Sequence, residues 1–232
     1  SLKLIAFSSR QREWSLISKL FKNINDEFCI KDPKLTQNIC GIEFPNPIGL
    51  AAGFDKNGIG ANIWKDFGFG FSELGTVTKL PQEGNPKPRL FRLAKEKAAL
   101  NRMGFNNNGA NVLEKNLIRQ KIKYSSDREE LCLGINFGKS KITALSESTE
   151  DYISSLKLLI PYCDYAAINV SSPNTAGLRK LQSPELLRDL LREIKLLEDC
   201  PPLFVKIAPD LDFEEIEQIC QLIHEEKIDG II

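Results

Sequence analysis

The chain is 232 residues long, enough to bury a sizeable core, and one domain of α/β-barrel size suits that length. Its 31 Lys and Arg balance 31 Asp and Glu, which argues against nucleic-acid phosphate as the main partner. No apolar run approaches the roughly 18 residues of a membrane span, and no signal peptide of the usual three-part form opens the chain.

The six cysteines (Cys29, Cys40, Cys132, Cys163, Cys200 and Cys220) contain no Cys-x-x-Cys pair, and several fall inside apolar runs. They read as reduced residues of a cytosolic protein, not as a disulfide framework. His224 is the single histidine and lies late in a helical pattern, where a solvated or capping role fits best. One histidine excludes a His-rich metal site and argues against a Ser-His-Asp triad, so no metal is expected.

The beginning of the chain has its own pattern. Leu2, Leu4, Ile5 and Phe7 form one apolar patch; Trp14, Ile17, Phe21, Ile24 and Phe28 then recur at spacings of three and four, with Leu16 and Leu20 beside them. Lys19, Lys22 and Asn23 take other faces, so the spacing predicts an amphipathic helix. Periodicity alone favours plain packing of that helix on the domain over contact with a membrane surface or an apolar ligand.

From Gly41 onward the pattern alternates. Apolar runs place strands at 48–52, 71–77, 132–137, 166–170, 204–207 and 230–232, with helices at 60–67, 110–121, 151–162, 184–197 and 213–226. Ser148 with Asp151, and Asp212 with Glu215, have the spacing of capping boxes, and Ser183 precedes a proline at a first helical position. Such alternation implies a parallel sheet. Six strands are two short of a closed (β/α)₈ TIM barrel, so the fold expected is that barrel, incomplete, behind a short N-terminal amphipathic helical extension. The missing initiator Met and the run that stops at Ile232 add the expectation of a piece of a longer protein.

Residues 79–108 are too many for an ordinary connection and carry Pro81, Pro86, Pro88, a Leu90-Phe91-Arg92-Leu93 run and the stretch Asn101-Arg102-Met103-Gly104-Phe105-Asn106-Asn107-Asn108. A functional lid bearing amides is expected there. After the fourth strand comes Asn169-Val170-Ser171-Ser172-Pro173-Asn174-Thr175, where α/β proteins place their chemistry. Its carboxamides both donate and accept, which suits the edge of a planar heterocycle with C=O and N–H groups. The plainer alternative is a capping turn rich in Ser, Asn and Pro. Ala51-Ala52-Gly53-Phe54-Asp55-Lys56-Asn57-Gly58 and Gly134-Ile135-Asn136-Phe137-Gly138-Lys139 occupy two further strand ends. Lys206 lies inside an otherwise apolar strand, a costly place for an ammonium without an anion, and is a functional candidate for that reason.

Taken together and in order, these five segments resemble the dihydroorotate dehydrogenase family, and within it the quinone-linked class 2 branch, from about Leu35 onward. The resemblance implies an FMN-containing barrel that oxidises dihydroorotate to orotate in pyrimidine (UMP) biosynthesis and passes electrons to a membrane quinone. It implies two parts, an amphipathic membrane- and quinone-side segment at 1–34 and a barrel domain at 35–232.

Carried over by position, Ser172 resembles the catalytic base, a place held by cysteine in class 1. Its proton would leave through a relay by Thr175 or a water, shielded by Phe105. Lys56, Asn101, Arg102, Met103, Gly104, Phe105, Asn169 and Asn174 match substrate contacts. Ala52, Gly53, Thr76, Asn136, Asn169 and Lys206 match FMN contacts, and Arg92 resembles an arginine of the quinone tunnel. On the resemblance the first helix moves from plain packing to the membrane-facing extension. That implies peripheral attachment to the cell membrane, at the cytoplasmic face if the source is bacterial. The family's glycine-rich phosphate loops, and an Asn-Thr substrate motif after the sixth strand, have no counterpart in these 232 residues. Weak or absent flavin binding by the chain is therefore expected.

Two look-alikes fall away. Only three residues separate Gly134 from Gly138, where a phosphate-binding P-loop needs four, and Gly68-Phe69-Gly70 lacks the third glycine of a dinucleotide fingerprint. Two competing functions remain to be weighed: a dihydropyrimidine or dihydrouridine oxidoreductase, and an inactive barrel fragment serving as an interaction module. A tRNA-acting oxidoreductase calls for a basic surface and a catalytic cysteine, and neither is evident.

Overall fold

A computed structural model of the protein describes residues 15–122, 124–125, 132–175 and 177–232. Its first element is helix α1 (Ser15–Phe28). Phe21 is buried and packs with Ile17 against Ile63 and Trp64, while Leu16 and Leu20 point outward. The helix therefore docks through one stripe and leaves apolar side chains on another. Leu2, Leu4, Ile5, Phe7 and Trp14 lie outside the described residues.

Strands β1 (Gln37–Ile39) and β2 (Ile42–Phe44) pair antiparallel as a hairpin the sequence pattern did not predict. Cys40 and Gly41, at φ +53° and +78°, form its two-residue turn. Positive φ at both positions matches the natural twist of a hairpin, but the usual Asn-Gly or Asp-Gly signature is missing. Phe44 of this hairpin packs with Phe71 and Tyr165, stopping the amino-terminal end of the main sheet with rings.

That sheet has six parallel strands in the order β10-β9-β8-β7-β4-β3. They are β3 (Gly49–Leu50), β4 (Phe71–Val77), β7 (Cys132–Phe137), β8 (Tyr165–Asn169), β9 (Leu203–Lys206) and β10 (Gly230–Ile231). The expected strands are all present, four of them displaced or shortened by a residue or two at their ends. Side chains alternate in the usual two-residue period. Leu74, Ile135, Ile168 and Val205 join the helices in the main core, whereas Phe71, Tyr165 and Phe204 pack on the other face. Truncating a fully buried leucine of the core, such as Leu74 or Leu156, removes about 2–5 kcal/mol by the usual scale of such changes. The arrangement is an incomplete TIM barrel, with the helices outside the curled sheet.

The covering helices are α2 (Ala110–Arg119), α3 (Ser148–Leu159), α4 (Pro184–Lys195) and α5 (Phe213–Glu225). The Asp212 capping box forms in both directions: Asp212 Oδ1 accepts from Glu215 N, and Glu215 Oε2 accepts from Asp212 N. The Ser148–Asp151 box does not form. Ser148 donates to the Leu145 carbonyl, and Asp151 turns to the loop after β7, accepting from Ser140 N, Ser140 Oγ and Thr143 Oγ1. Three donors outbid one helix end for the carboxylate. Ser183 sits at the N-cap of α4 before Pro184, without a side-chain cap bond.

Two further expectations need correction. Residues 60–67 do not form an α-helix; only Trp64–Phe67 coils, as a 3₁₀ turn. Asp55 captures the amides of Ile59 and Gly60, so the chain turns around a side chain before a helix can start. Within 79–108, the Leu90–Leu93 run is a strand, β5, paired antiparallel with β6 (Ala98–Asn101), and the two form an exposed hairpin. No described helix is long and apolar enough to cross a membrane.

Candidate active site

After β3 the chain turns at once. Asp55 is 1% exposed and holds the turn, accepting from Ile59 N at 2.9 Å, Gly60 N at 2.8 Å and Trp64 Nε1 at 3.2 Å. Burial pushes its carboxyl up despite those donors. The anchored turn aims Lys56 across to the next loop, where its Nζ donates to Asn106 Oδ1 at 2.7 Å. Asn57 Oδ1 fastens the same two loops by accepting from Asn108 N. Burial, and secondarily the Arg89 guanidinium, pull the Lys56 ammonium below the lysine range.

Phe105 is brought in by its own neighbours. Asn107 is buried, donates to the Phe105 carbonyl and to Thr78 Oγ1, and accepts from Gly109 N. Gly138 leaves room for the ring, since a Cβ there would stand 2.8 Å from Phe105 Cε2 and 2.6 Å from Thr76 Cγ2.

Beneath the rim lies a chain of buried polar groups. The β4–β7 register shifts between Gly75 and Val77, and this irregularity re-aims Thr76 so that its hydroxyl donates to Asn136 Oδ1 at 2.6 Å. Asn169 Nδ2 donates to the same Oδ1 at 3.0 Å, and Asn169 Oδ1 accepts from the amide and hydroxyl of Ser171. Tyr152, buried beneath, donates to the Asn169 carbonyl, and burial pushes its phenol far up, so it stays a donor.

The loop after β8 is held from its far side. Arg179 Nε donates to the Ser171 carbonyl while its Nη1 pairs with Asp210 Oδ2 at 3.0 Å, tying this loop to the one after β9. Ser172 Oγ accepts from Asn174 N at 3.2 Å. The Thr175 hydroxyl is buried with no hydrogen-bond partner among the described residues.

These pieces line one hollow of about 340 Å³ at the carboxyl ends of the strands. Ser172, Lys56 and Lys206 all open onto it, although they come from three different loops and strands. So do the carboxamides of Asn101, Asn169 and Asn174. Ala52, Gly53 and Thr76 form part of its wall, as do Met103, Gly104 and Phe105. Asn136 and Thr175 lie outside the lining. Arg102 also stays out, donating through Nε and Nη2 to the Pro88 carbonyl. Arg92 is exposed on β5. Leu90, Asn106 and Asn107 were not anticipated, because two of them act by holding other residues. A cavity of about 430 Å³ lies at the hairpin end, between Cys40, Glu43, Cys132 and Asp164, and among the described residues no lysine, arginine or carboxamide lines it. The hollow at the rim is the one that Ser172, Lys56 and Lys206 share.

An incomplete (β/α)₈ barrel with two ammonium groups, three carboxamides and a serine hydroxyl gathered at its carboxyl rim is the class that fold and site define. The chain belongs to the dihydroorotate dehydrogenase family, whose model, described as "Dihydroorotate dehydrogenase", matches residues 34–232. It is 51% identical over 232 residues to a dihydroorotate dehydrogenase (quinone) from Prochlorococcus marinus (strain MIT 9313), covering 100% of this chain and 59% of that protein. A protein of the same name from Trichormus variabilis (strain ATCC 29413 / PCC 7937) is 51% identical over 217 residues, covering 93% of the chain and 56% of the relative. The crystal structure of DHODH in complex with ferulenol from Eimeria tenella superposes with a TM-score of 0.79 at 38% identity, over 92% of this chain and 64% of that one. The chain thus spans less than two thirds of the length of these relatives.

Proposed function

We propose that the chain carries the catalytic side of an FMN-dependent dehydrogenase that oxidises (S)-dihydroorotate to orotate in UMP biosynthesis and passes the electrons to a membrane quinone. The observation that carries this reading is the single hollow shared by Ser172, Lys56, Lys206 and the carboxamides.

The residues present fit a planar flavin ring. Gly53 lines the hollow at φ +107°, and a Cβ there would meet no protein atom within 4 Å, leaving an open approach to the backbone. Lys206 offers positive charge at the same wall, and Asn169 lines it beside Thr76. When bound, FMN supplies the acceptor for the hydride that leaves the substrate ring.

The chain's own groups supply the rest. The Lys56 ammonium, held on a neutral amide and not on an acid, is left to face the substrate carboxylate. Asn101 and Asn174 grip the pyrimidine edge. Ser172 Oγ takes the proton from the ring carbon that the adjacent carbonyl acidifies. An alcohol is a weak base, so the proton moves on, and the buried hydroxyl of Thr175, without a hydrogen-bond partner among the described residues, suits that relay. Phe105, 9% exposed, closes the step to water.

Residues 1–34 act as the membrane- and quinone-side segment and 35–232 as the barrel domain. Leu16 and Leu20 on α1, together with Leu90, Phe91 and Leu93 on the hairpin, are exposed apolar side chains suited to a membrane surface and a quinone path, with Arg92 between them. Attachment is peripheral, at the cytoplasmic face if the source is bacterial.

The test is the absorbance of the protein at its relatives' full length, loaded with FMN. Dihydroorotate should bleach the flavin band and a quinone should restore it. In Ser172→Ala the bleaching should slow by about 10²-fold or more, the usual scale for losing a general base. An unchanged rate removes Ser172 from the role.

A further inference from the structure

Strand β4 is buried along nearly its whole length, yet it carries a carboxylate at Glu73, 6% exposed. A buried carboxylate is costly unless donors surround it. Three groups answer this one. Asn136 Nδ2 donates to Oε1 at 2.8 Å, the Tyr165 hydroxyl donates to Oε2 at 3.3 Å, and Lys206 Nζ stands 4.0 Å from Oε1.

A carboxylate can only accept, so it dictates the sense of what lies above it. Asn136 must turn its NH₂ toward Glu73 and its oxygen away, where that oxygen receives Thr76 Oγ1 and Asn169 Nδ2. Asn169 therefore donates downward, and its own oxygen is left for Ser171. The orientation of both carboxamides begins at Glu73.

The fold also makes room for this contact. Gly134 pairs with Glu73 on one side and with Tyr165 on the other. A Cβ on Gly134 would lie 2.1 Å from Tyr165 Cζ, so only glycine lets the phenol cross to the carboxylate. Burial and the Glu73 charge push the phenol's pKa far up, which keeps it protonated and donating.

We infer that Glu73 is a positioning residue of the flavin site, fixing the donor–acceptor sense of Asn136 and Asn169 and offsetting the charge of Lys206, and so setting the potential at which the cofactor takes electrons. This rests on the FMN reading above. Glu73 does not line the hollow and acts through its neighbours.

The test is a redox titration of the flavin-loaded holoenzyme. Glu73→Gln keeps the shape and removes the charge, leaving Lys206 uncompensated, and the flavin midpoint potential should rise by roughly 30 mV, a tenfold shift for a two-electron couple. Glu73→Asp keeps the charge and should stay closer to the parent. Should Glu73→Gln fail to fold, Tyr165→Phe provides the second arm: losing a donor strengthens the carboxylate's offset of Lys206, and the potential should fall. Parent-like potentials in the folded variants, beside a parent protein that loads FMN and is bleached by dihydroorotate, overturn the assignment of Glu73 alone. A parent at its relatives' full length that takes up no FMN overturns the functional reading, and this inference with it.

Discussion

Lys56 holds its ammonium 2.7 Å from the neutral side-chain amide Oδ1 of Asn106, and burial lowers its pKa below the ordinary 10.5. Its positive charge, and any attraction for a substrate carboxylate, is complete well below that depressed pKa and is lost as pH rises through it. The KM for dihydroorotate should accordingly climb on an alkaline limb that begins below 10.5, and Lys56→Met should raise KM at lower pH and abolish the limb. A limb that survives in Lys56→Met assigns it to another group. At this scale much was visible in the chain beforehand. Lys206 stood out as a charge inside an apolar strand, and the same signal, unread, marked Glu73 in Phe71–Val77. Asn106 and Asn107 carried no such mark, since an amide in a loop of amides reveals its partner only when the loop is folded.

At the scale of elements, capping shows where local rules hold and where they yield. Asp212→Ala should destabilise by about 1 kcal/mol, the usual worth of an N-cap, read as a lower denaturation midpoint in urea. Asp151→Ala should cost more, roughly 2–4 kcal/mol, because three donors around Ser140 and Thr143 lose a buried acceptor. Equal losses in the two variants count against this ranking. Spacing alone made the two acids look alike. The strands of the main sheet were legible because each is a short apolar run with its own turn chemistry. Both hairpins were missed, since Cys40-Gly41 lacks the common turn residues and β5 and β6 are exposed throughout. The 60–67 segment has a helical pattern, but Asp55 takes the amides that a helix would have needed.

At the scale of the molecule, the six-stranded sheet gathers residues far apart in the chain at one rim, where a closed barrel has eight strands. The hollow is the place proposed for a ring and a substrate, and among the described residues no glycine-rich phosphate loop opens onto it. The 232-residue chain should therefore bind FMN far more weakly than the same protein at its relatives' length, as measured by quenching of free flavin fluorescence. Stoichiometric uptake by the chain alone refutes this.

The sequence by itself determined the order and kind of the main elements, the motifs that mark the family, and most side chains that open onto the hollow. Periodicity and residue chemistry are properties of neighbours along the chain, and they survive without the fold. Only the tertiary structure decided that Glu73 meets Tyr165, 92 positions away, that Thr76 turns onto Asn136, and that α1 docks through Ile17 and Phe21 while Leu16 and Leu20 face out. Those outcomes depend on strand register and on the space a glycine leaves across a sheet, and neither is written in any local stretch of sequence.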